Sequence, residues 1–146
     1  MAERATEQII IDAPPSRIFD VALDFERYPE WAADIKEVEV LERDDEGRGT
    51  SVRYRTAAMG QSARYTLAYD YSDAPHAMAW KLVEGNIMRV LDGSYTFDAQ
   101  DGGSLVTYHL EVDLIVPIPG FVKRRAEGKI MGTALRELKR RVESES

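Results

Sequence analysis

The amino-acid sequence predicts a single α+β domain: a seven-stranded antiparallel sheet, built from an N-terminal strand and a six-strand meander, with a long C-terminal helix on its apolar face. Three observations carry this. Hydrophobic spacing changes from a helical period of 3.6 to a strand period of 2 at about residue 36, and returns to 3.6 after about residue 121. Short turn-forming segments punctuate the middle stretch. The aromatic residues of that stretch fall on one parity.

Thr6–Asp12 (TEQIIID) reads as the first strand, ended by Ala13-Pro14-Pro15-Ser16. Proline suits a first helical position, where its missing N–H would have no intrahelical partner. Ile18, Phe19, Ala22 and Leu23 follow at helical spacing, which predicts an amphipathic helix over Pro15–Asp24. A second short helix is predicted over Pro29–Asp34. Six strands follow at Lys36–Arg43, Thr50–Ala58, Ser62–Tyr71, Ala77–Glu84, Met88–Asp98 and Leu105–Leu114. Between them stand Asp45-Glu46-Gly47-Arg48-Gly49, Met59-Gly60-Gln61, Ser72-Asp73-Ala74-Pro75, Gly85-Asn86 and Asp101-Gly102-Gly103, all rich in turn formers. Loops this short favour antiparallel neighbours.

One parity of each strand is apolar or aromatic: Val38 and Val40; Val52, Tyr54 and Thr56; Ala63, Tyr65, Leu67, Tyr69 and Tyr71; Met78, Trp80 and Leu82; Arg89, Leu91, Gly93, Tyr95 and Phe97; Val106, Tyr108, Leu110, Val112 and Leu114. The other parity is mainly polar, from Glu37 and Glu39 through Arg53, Arg64, Asp92 and Asp98 to His109 and Glu111. A one-residue slip would turn a strand's whole apolar set outward, so the pattern fixes which face is inner. The register it predicts sets Val38 opposite Tyr54, Tyr54 opposite Tyr65, Tyr69 opposite Trp80, Trp80 opposite Leu91 and Tyr95 opposite Tyr108.

Such a one-sided sheet needs a cover. Val116-Pro117-Ile118-Pro119-Gly120 cannot extend the last strand, because proline donates no ladder hydrogen bond. From about Phe121 a helix is predicted to Glu143, ~34 Å long. Phe121, Gly128, Met131, Leu135, Leu138 and Val142 recur at steps of 7, 3, 4, 3 and 4, a single stripe.

Composition narrows the function. A net charge of -7 argues against a general nucleic-acid binder, which presents a basic face. There is no cysteine, hence no disulfide framework, thiolate metal site or cysteine nucleophile. The start of the chain is charged and lacks the apolar stretch of a signal peptide, and no apolar run is long enough to span a membrane; a cytoplasmic location is expected.

Ile11-Asp12-Ala13-Pro14-Pro15 before the first helix, Tyr28-Pro29-Glu30-Trp31 after it, Gly93-Ser94-Tyr95-Thr96-Phe97 and the Pro117-Ile118-Pro119-Gly120 lead together resemble the START-like polyketide cyclase/dehydrase family (SRPBCC). The resemblance covers nearly the whole chain. It implies the helix-grip fold also seen in the birch-pollen allergen, with a curved sheet gripping the long helix over an apolar cavity. The family includes lipid carriers, hormone receptors, coenzyme Q-binding proteins and aromatase/cyclases, so the fold alone does not name a ligand.

The candidate ligand-binding residues are Tyr54, Tyr65, Leu67, Tyr69, Trp80, Leu82, Arg89, Leu91, Tyr95, Tyr108, Gly128, Met131 and Leu135. Tyrosine and tryptophan supply apolar area plus a polar atom that needs a partner when buried, as ligand pockets and aromatic cores both require. Gly128 and Gly132 each cost about 0.8–1.0 kcal/mol relative to alanine inside a helix, which predicts an inward small face, either for a ligand or for close contact with the sheet. Arg89 on the inner parity needs Glu84, a ligand's polar head or water at the cavity mouth, because an unpaired buried guanidinium is very costly.

No catalytic residue, metal ligand or cofactor is assigned. His76 lies in a turn and His109 on the outer parity, and no glycine-rich phosphate loop precedes a helix. The final helix carries eight Lys/Arg against three Glu between Ile118 and Glu143, leaving -12 for the rest of the chain. That surface offers peripheral contact with an anionic membrane or an acidic partner, or is neutralised by the acidic body. The expected function is binding or transport of a small hydrophobic molecule: a lipid, an isoprenoid quinone or a polyketide-like compound. The alternatives are a polyketide aromatase/cyclase acting in the same cavity, for which Tyr54, Tyr65, Trp80 and Arg89 are the candidates, and an interaction module with a collapsed core.

Overall fold

A computed structural model describes residues 3–58, 61–115 and 120–144. The elements run β1 (Glu3–Ile11), α1 (Pro15–Leu23), a 3-10 helix (Phe25–Glu30), β2 (Ile35–Arg43), β3 (Gly49–Ala58), β4 (Gln61–Asp70), β5 (Ala77–Gly85), β6 (Met88–Gln100), β7 (Gly103–Leu114) and α2 (Gly120–Ser144). The strands form one sheet in the order β1-β7-β6-β5-β4-β3-β2, and every neighbouring pair is antiparallel. β1 and β2 therefore occupy opposite edges. The chain between them, α1 and the 3-10 helix, packs against β6 and β2.

The predicted element order holds, and β1 begins three residues earlier than expected. The second short helix is displaced. It is a 3-10 helix over Phe25–Glu30 rather than a helix over Pro29–Asp34. Phe25 and Tyr28 are both buried, and their i,i+3 spacing matches the three residues per turn of that geometry. The Met59-Gly60 turn, the Val116-Pro117-Ile118-Pro119 lead and the side chain of Phe121 lie outside what is described.

Register is as predicted for Val38 with Tyr54, Tyr54 with Tyr65, Tyr69 with Trp80, and Tyr95 with Tyr108. Trp80, however, faces Gly93 instead of Leu91. The offset is two residues, which preserves parity, so the hydrophobic pattern fits either register equally. Close packing suits the observed one: a Cβ on Gly93 would stand 2.6 Å from Trp80 Cζ2 and 2.6 Å from the His109 carbonyl oxygen.

Between Met88 and Val90 the β6–β7 register shifts by a bulge. A bulge inserts one unpaired residue and so inverts the alternation on one side of it. Met88 is consequently buried and Arg89 exposed, which corrects the inward placement of Arg89. Glu84 is exposed as well, and its charge acts on Arg53 across the outer face.

Met131, Leu135, Leu138 and Val142 of α2 are buried to 2% exposure or less and join Ile18, Phe19 and Ala22 of α1 in one core with the inner face of the sheet. Phe19 meets Phe97 edge-on, with ring centroids 5.9 Å apart. The principal contacts of α2 are with β1, β7 and α1. Polar ties hold its C-terminal half: Lys139 Nζ donates to the Ile10 carbonyl at 2.7 Å, Glu143 accepts from the Asp12 N–H at 2.9 Å, and Arg141 pairs with Glu30 at 3.0 Å.

Candidate functional site

Because α2 rests chiefly on β1, β7 and α1, much of the inner face of β3 to β6 meets space instead of helix. That space is a cavity of about 470 Å³, within the ~300–1,000 Å³ usual for small-molecule pockets. Its sheet wall carries Tyr54, Tyr65, Leu67, Tyr69, Trp80, Leu91, Tyr95 and Tyr108, all drawn from the predicted set. Ile35, Thr56, Ala63, Met78, Met88, Leu110, Val112 and Leu114 add to that wall. Tyr28 of the 3-10 helix and Trp31, the residue that caps it, close one side, and Ile130, Thr133, Ala134, Glu137 and Leu138 close it from α2.

The other predicted residues are placed differently. Met131 and Leu135 are buried in the core, because the face of α2 that looks into the cavity is the one carrying Ala134 and Glu137. Leu82 is half-buried against the core without lining the cavity. A Cβ at Gly128 would meet nothing within 4 Å, so this glycine permits no close contact with the sheet and does not line the cavity. At Gly132 the nearest group is the Arg136 guanidinium of the same helix, 3.0 Å away, which corrects its inward placement. Arg89 is exposed and absent from the walls. Of the strand tyrosines only Tyr71 stands apart from the cavity, donating to the Gly49 carbonyl at 2.5 Å.

Sequence reasoning passed over Tyr28, Trp31, Asp34 and Glu137 as wall residues. Tyr28 and Trp31 were visible as aromatics three apart in Tyr28-Pro29-Glu30-Trp31. Glu137 follows Ala134 by three on the helix, but both lie beside the apolar stripe rather than in it, so the pattern gives no sign that they face a cavity. Its Oε2 accepts from the Ala33 N–H at 3.1 Å, tying α2 to the loop before β2.

The aromatic rings are in mutual contact. Tyr54 stacks on Tyr65 at 5.2 Å between centroids, Trp80 lies 5.3 Å from Tyr95 and 5.8 Å from Tyr108, and Tyr95 and Tyr108 are 4.7 Å apart. The hydroxyls of Tyr54 and Tyr69 meet at 2.5 Å, Tyr28 donates to the Ala22 carbonyl, and Tyr65 bonds with Thr56. Among the described residues, Tyr95 and Tyr108 have no hydrogen-bond partner for their hydroxyls. Burial in this low-dielectric space pushes the ionisation of Tyr28, Tyr54, Tyr65, Tyr69, Tyr95 and Tyr108 above the ordinary phenol value.

Charge is sparse here. Among the described residues lining the cavity there is no lysine, arginine or histidine, and the charged ones are Asp34 and Glu137. His76 and His109 are both outside it: His76 stands 3.6 Å from Asp98, and His109 bonds to the Thr6 hydroxyl at 2.9 Å. No cluster of potential metal ligands occurs among the described residues, and none of their helices is long and apolar enough to cross a membrane.

A seven-stranded open sheet closed by one C-terminal helix over an apolar cavity defines a helix-grip fold. Residues 2–143 match the family described as polyketide cyclase/dehydrase and lipid transport, and the chain belongs to that family. Three solved structures share its fold. A START superfamily protein from Mycobacterium smegmatis is 24% identical, with a TM-score of 0.90 over 98% of this chain and 99% of that one. The protein TTHA0849 from Thermus thermophilus is 25% identical, with a TM-score of 0.83 over 99% of both chains. The Zhui aromatase/cyclase from Streptomyces sp. R1128 is 16% identical, with a TM-score of 0.78 over 98% of this chain and 94% of that one. No curated protein matches the sequence significantly.

Proposed function

We propose that this protein binds and carries a small hydrophobic molecule in the cavity between sheet and α2. The observation that carries this reading is the 470 Å³ space itself, walled by aromatic and aliphatic side chains. Burying ~300 Å² of apolar ligand surface there would contribute about 7 kcal/mol before the costs of association. The family description, which pairs cyclase/dehydrase activity with lipid transport, supports the same class. A cytoplasmic place of work agrees with the charged, cysteine-free composition.

Native mass spectrometry of protein purified from its own host, followed by extraction, tests this. An apolar compound of about 200–500 Da is expected to co-purify. A clean apo mass, with no uptake of neutral fluorescent probes, would overturn it.

The second reading, an aromatase/cyclase, is favoured by the row of phenols along the cavity and the family description. Those phenols are pushed toward weaker acidity, which suits hydrogen-bond donation and opposes a role as proton-abstracting base near neutral pH. Turnover of a poly-β-ketone analogue, lost in Tyr54→Phe or Tyr65→Phe, would establish the enzyme. Peripheral contact with an anionic membrane or an acidic partner through the basic residues of α2 belongs to the carrier reading, with Lys139 and Arg141 engaged by Glu143 and Glu30.

A further inference from the structure

The cavity's polar side chains sort by charge into neutral ones, the phenols with Thr56, Thr133 and the indoles of Trp31 and Trp80, and two acidic ones. Phenol hydroxyls line the aromatic wall, and two of them, on Tyr95 and Tyr108, are without a partner among the described residues. The charged groups in the walls are the carboxylates Asp34 and Glu137. The arginine that the sequence offered for a ligand's anionic head, Arg89, is outside.

Neither the Tyr95 nor the Tyr108 hydroxyl is among the fully buried unpartnered side-chain atoms, so both open onto the cavity space, where a ligand oxygen can accept from them. An anionic head inside the cavity would find no cation among the described wall residues and would stand with two carboxylates in the same walls, so its charge would be left uncompensated.

Resting on the carrier reading, we infer that the cavity selects uncharged amphiphiles: an apolar body bearing a hydroxyl or carbonyl oxygen that bonds to the Tyr95 and Tyr108 hydroxyls, with ionised carboxylates and phosphates excluded. Tyr95 and Tyr108 are the specificity-determining pair. They face each other across the β6–β7 ladder with ring centroids 4.7 Å apart, which puts both phenols on the same stretch of the cavity wall. Fatty acids enter only as the neutral acid, which makes their binding stronger as pH falls.

The test is displacement of a neutral fluorophore, phenylnaphthylamine, by two ligands of equal chain length, dodecanol and dodecanoate. At about pH 8, where the acid is ionised, dodecanol is expected to bind at least ~10-fold more tightly, with the gap narrowing at about pH 5. In Tyr95→Phe/Tyr108→Phe, dodecanol affinity is expected to fall about tenfold, and by more than the affinity for dodecane, which has no oxygen to accept a hydrogen bond. Equal or tighter binding of dodecanoate at the higher pH overturns the exclusion of anions. Unchanged dodecanol affinity in the variant overturns the role of the pair, and the single Tyr→Phe variants serve if the double one does not fold. Failure of wild-type protein to take up either the fluorophore or dodecanol overturns the carrier reading itself.

Discussion

Tyr54 on β3 and Tyr69 on β4 are four residues out of register, yet their hydroxyls meet at 2.5 Å. The residue directly opposite Tyr54 is Tyr65, so the two rings lean toward each other along the inner face instead of pairing straight across. Tyr54 is 3% exposed, and its hydroxyl satisfies that of Tyr69 inside the wall.

Removing one hydroxyl strands the other. Tyr69→Phe is expected to destabilise the fold by about 1 kcal/mol, and Tyr54→Phe by a similar amount. The double variant should cost less than the two single losses together, because it leaves no orphan. Urea unfolding of all four proteins checks this, and strict additivity would contradict the pairing.

Gly93 is closed to any side chain by Trp80 and the His109 carbonyl. Gly93→Ala is expected to cost ~1–3 kcal/mol by overpacking and to push Trp80 out of the cavity wall. The tryptophan emission maximum and the thermal midpoint should move together. An alanine variant of wild-type stability would refute the Trp80–Gly93 register.

All seven tyrosines ionise less readily in the fold than in the open chain, burial being the first cause in every case. A group whose folded value is raised keeps its proton longer when folded. Its contribution to stability is therefore whole below the ordinary phenol value of 10.0 and declines as pH rises above it. Phenolate absorbance is expected to appear in one step coincident with loss of ellipticity. Titration of several tyrosines at about pH 10 in a still-folded protein would contradict the buried wall.

At the acid side the sign reverses. The hydrogen bond from Lys139, and then that from the Asp12 N–H, hold Glu143 below its ordinary value of 4.5. That contribution is present above pH 4.5 and is lost as pH falls through the folded value. Glu143→Gln should therefore be less stable than wild type at neutral pH and should show a shallower loss on acidification. Parallel pH–stability curves for the two proteins would remove Glu143 from the account.

The sheet was legible because period-2 alternation leaves each strand one way to hide its aromatics; Tyr54, Tyr65 and Trp80 needed no further information. Arg89 was misread because a single bulged residue inverts parity, and nothing in Met88-Arg89-Val90-Leu91 advertises a bulge. The Trp80 register was ambiguous for the complementary reason, since a slip of two keeps every side chain on its face. In the helix the heptad-like stripe located the core, through Met131 and Leu135, but the cavity is where core packing is missing. Ala134 and Glu137 face it because α2 leans toward β1 and β7, and that tilt comes from tertiary contacts such as Lys139 with the Ile10 carbonyl.

β1 pairs with β7, joining Glu3–Ile11 to Ser104–Val112, and α2 reaches back to it over a separation of 129 residues. A nascent chain emerging from the ribosome thus carries β1 as an unmatched ribbon until the segment Ser104–Val112 has been made. Ladders that wait on such distant segments form slowly. Ile10, 58% exposed even in the finished fold, sits on that ribbon, so an apolar stretch with open hydrogen-bonding edges is left available for association in the meantime.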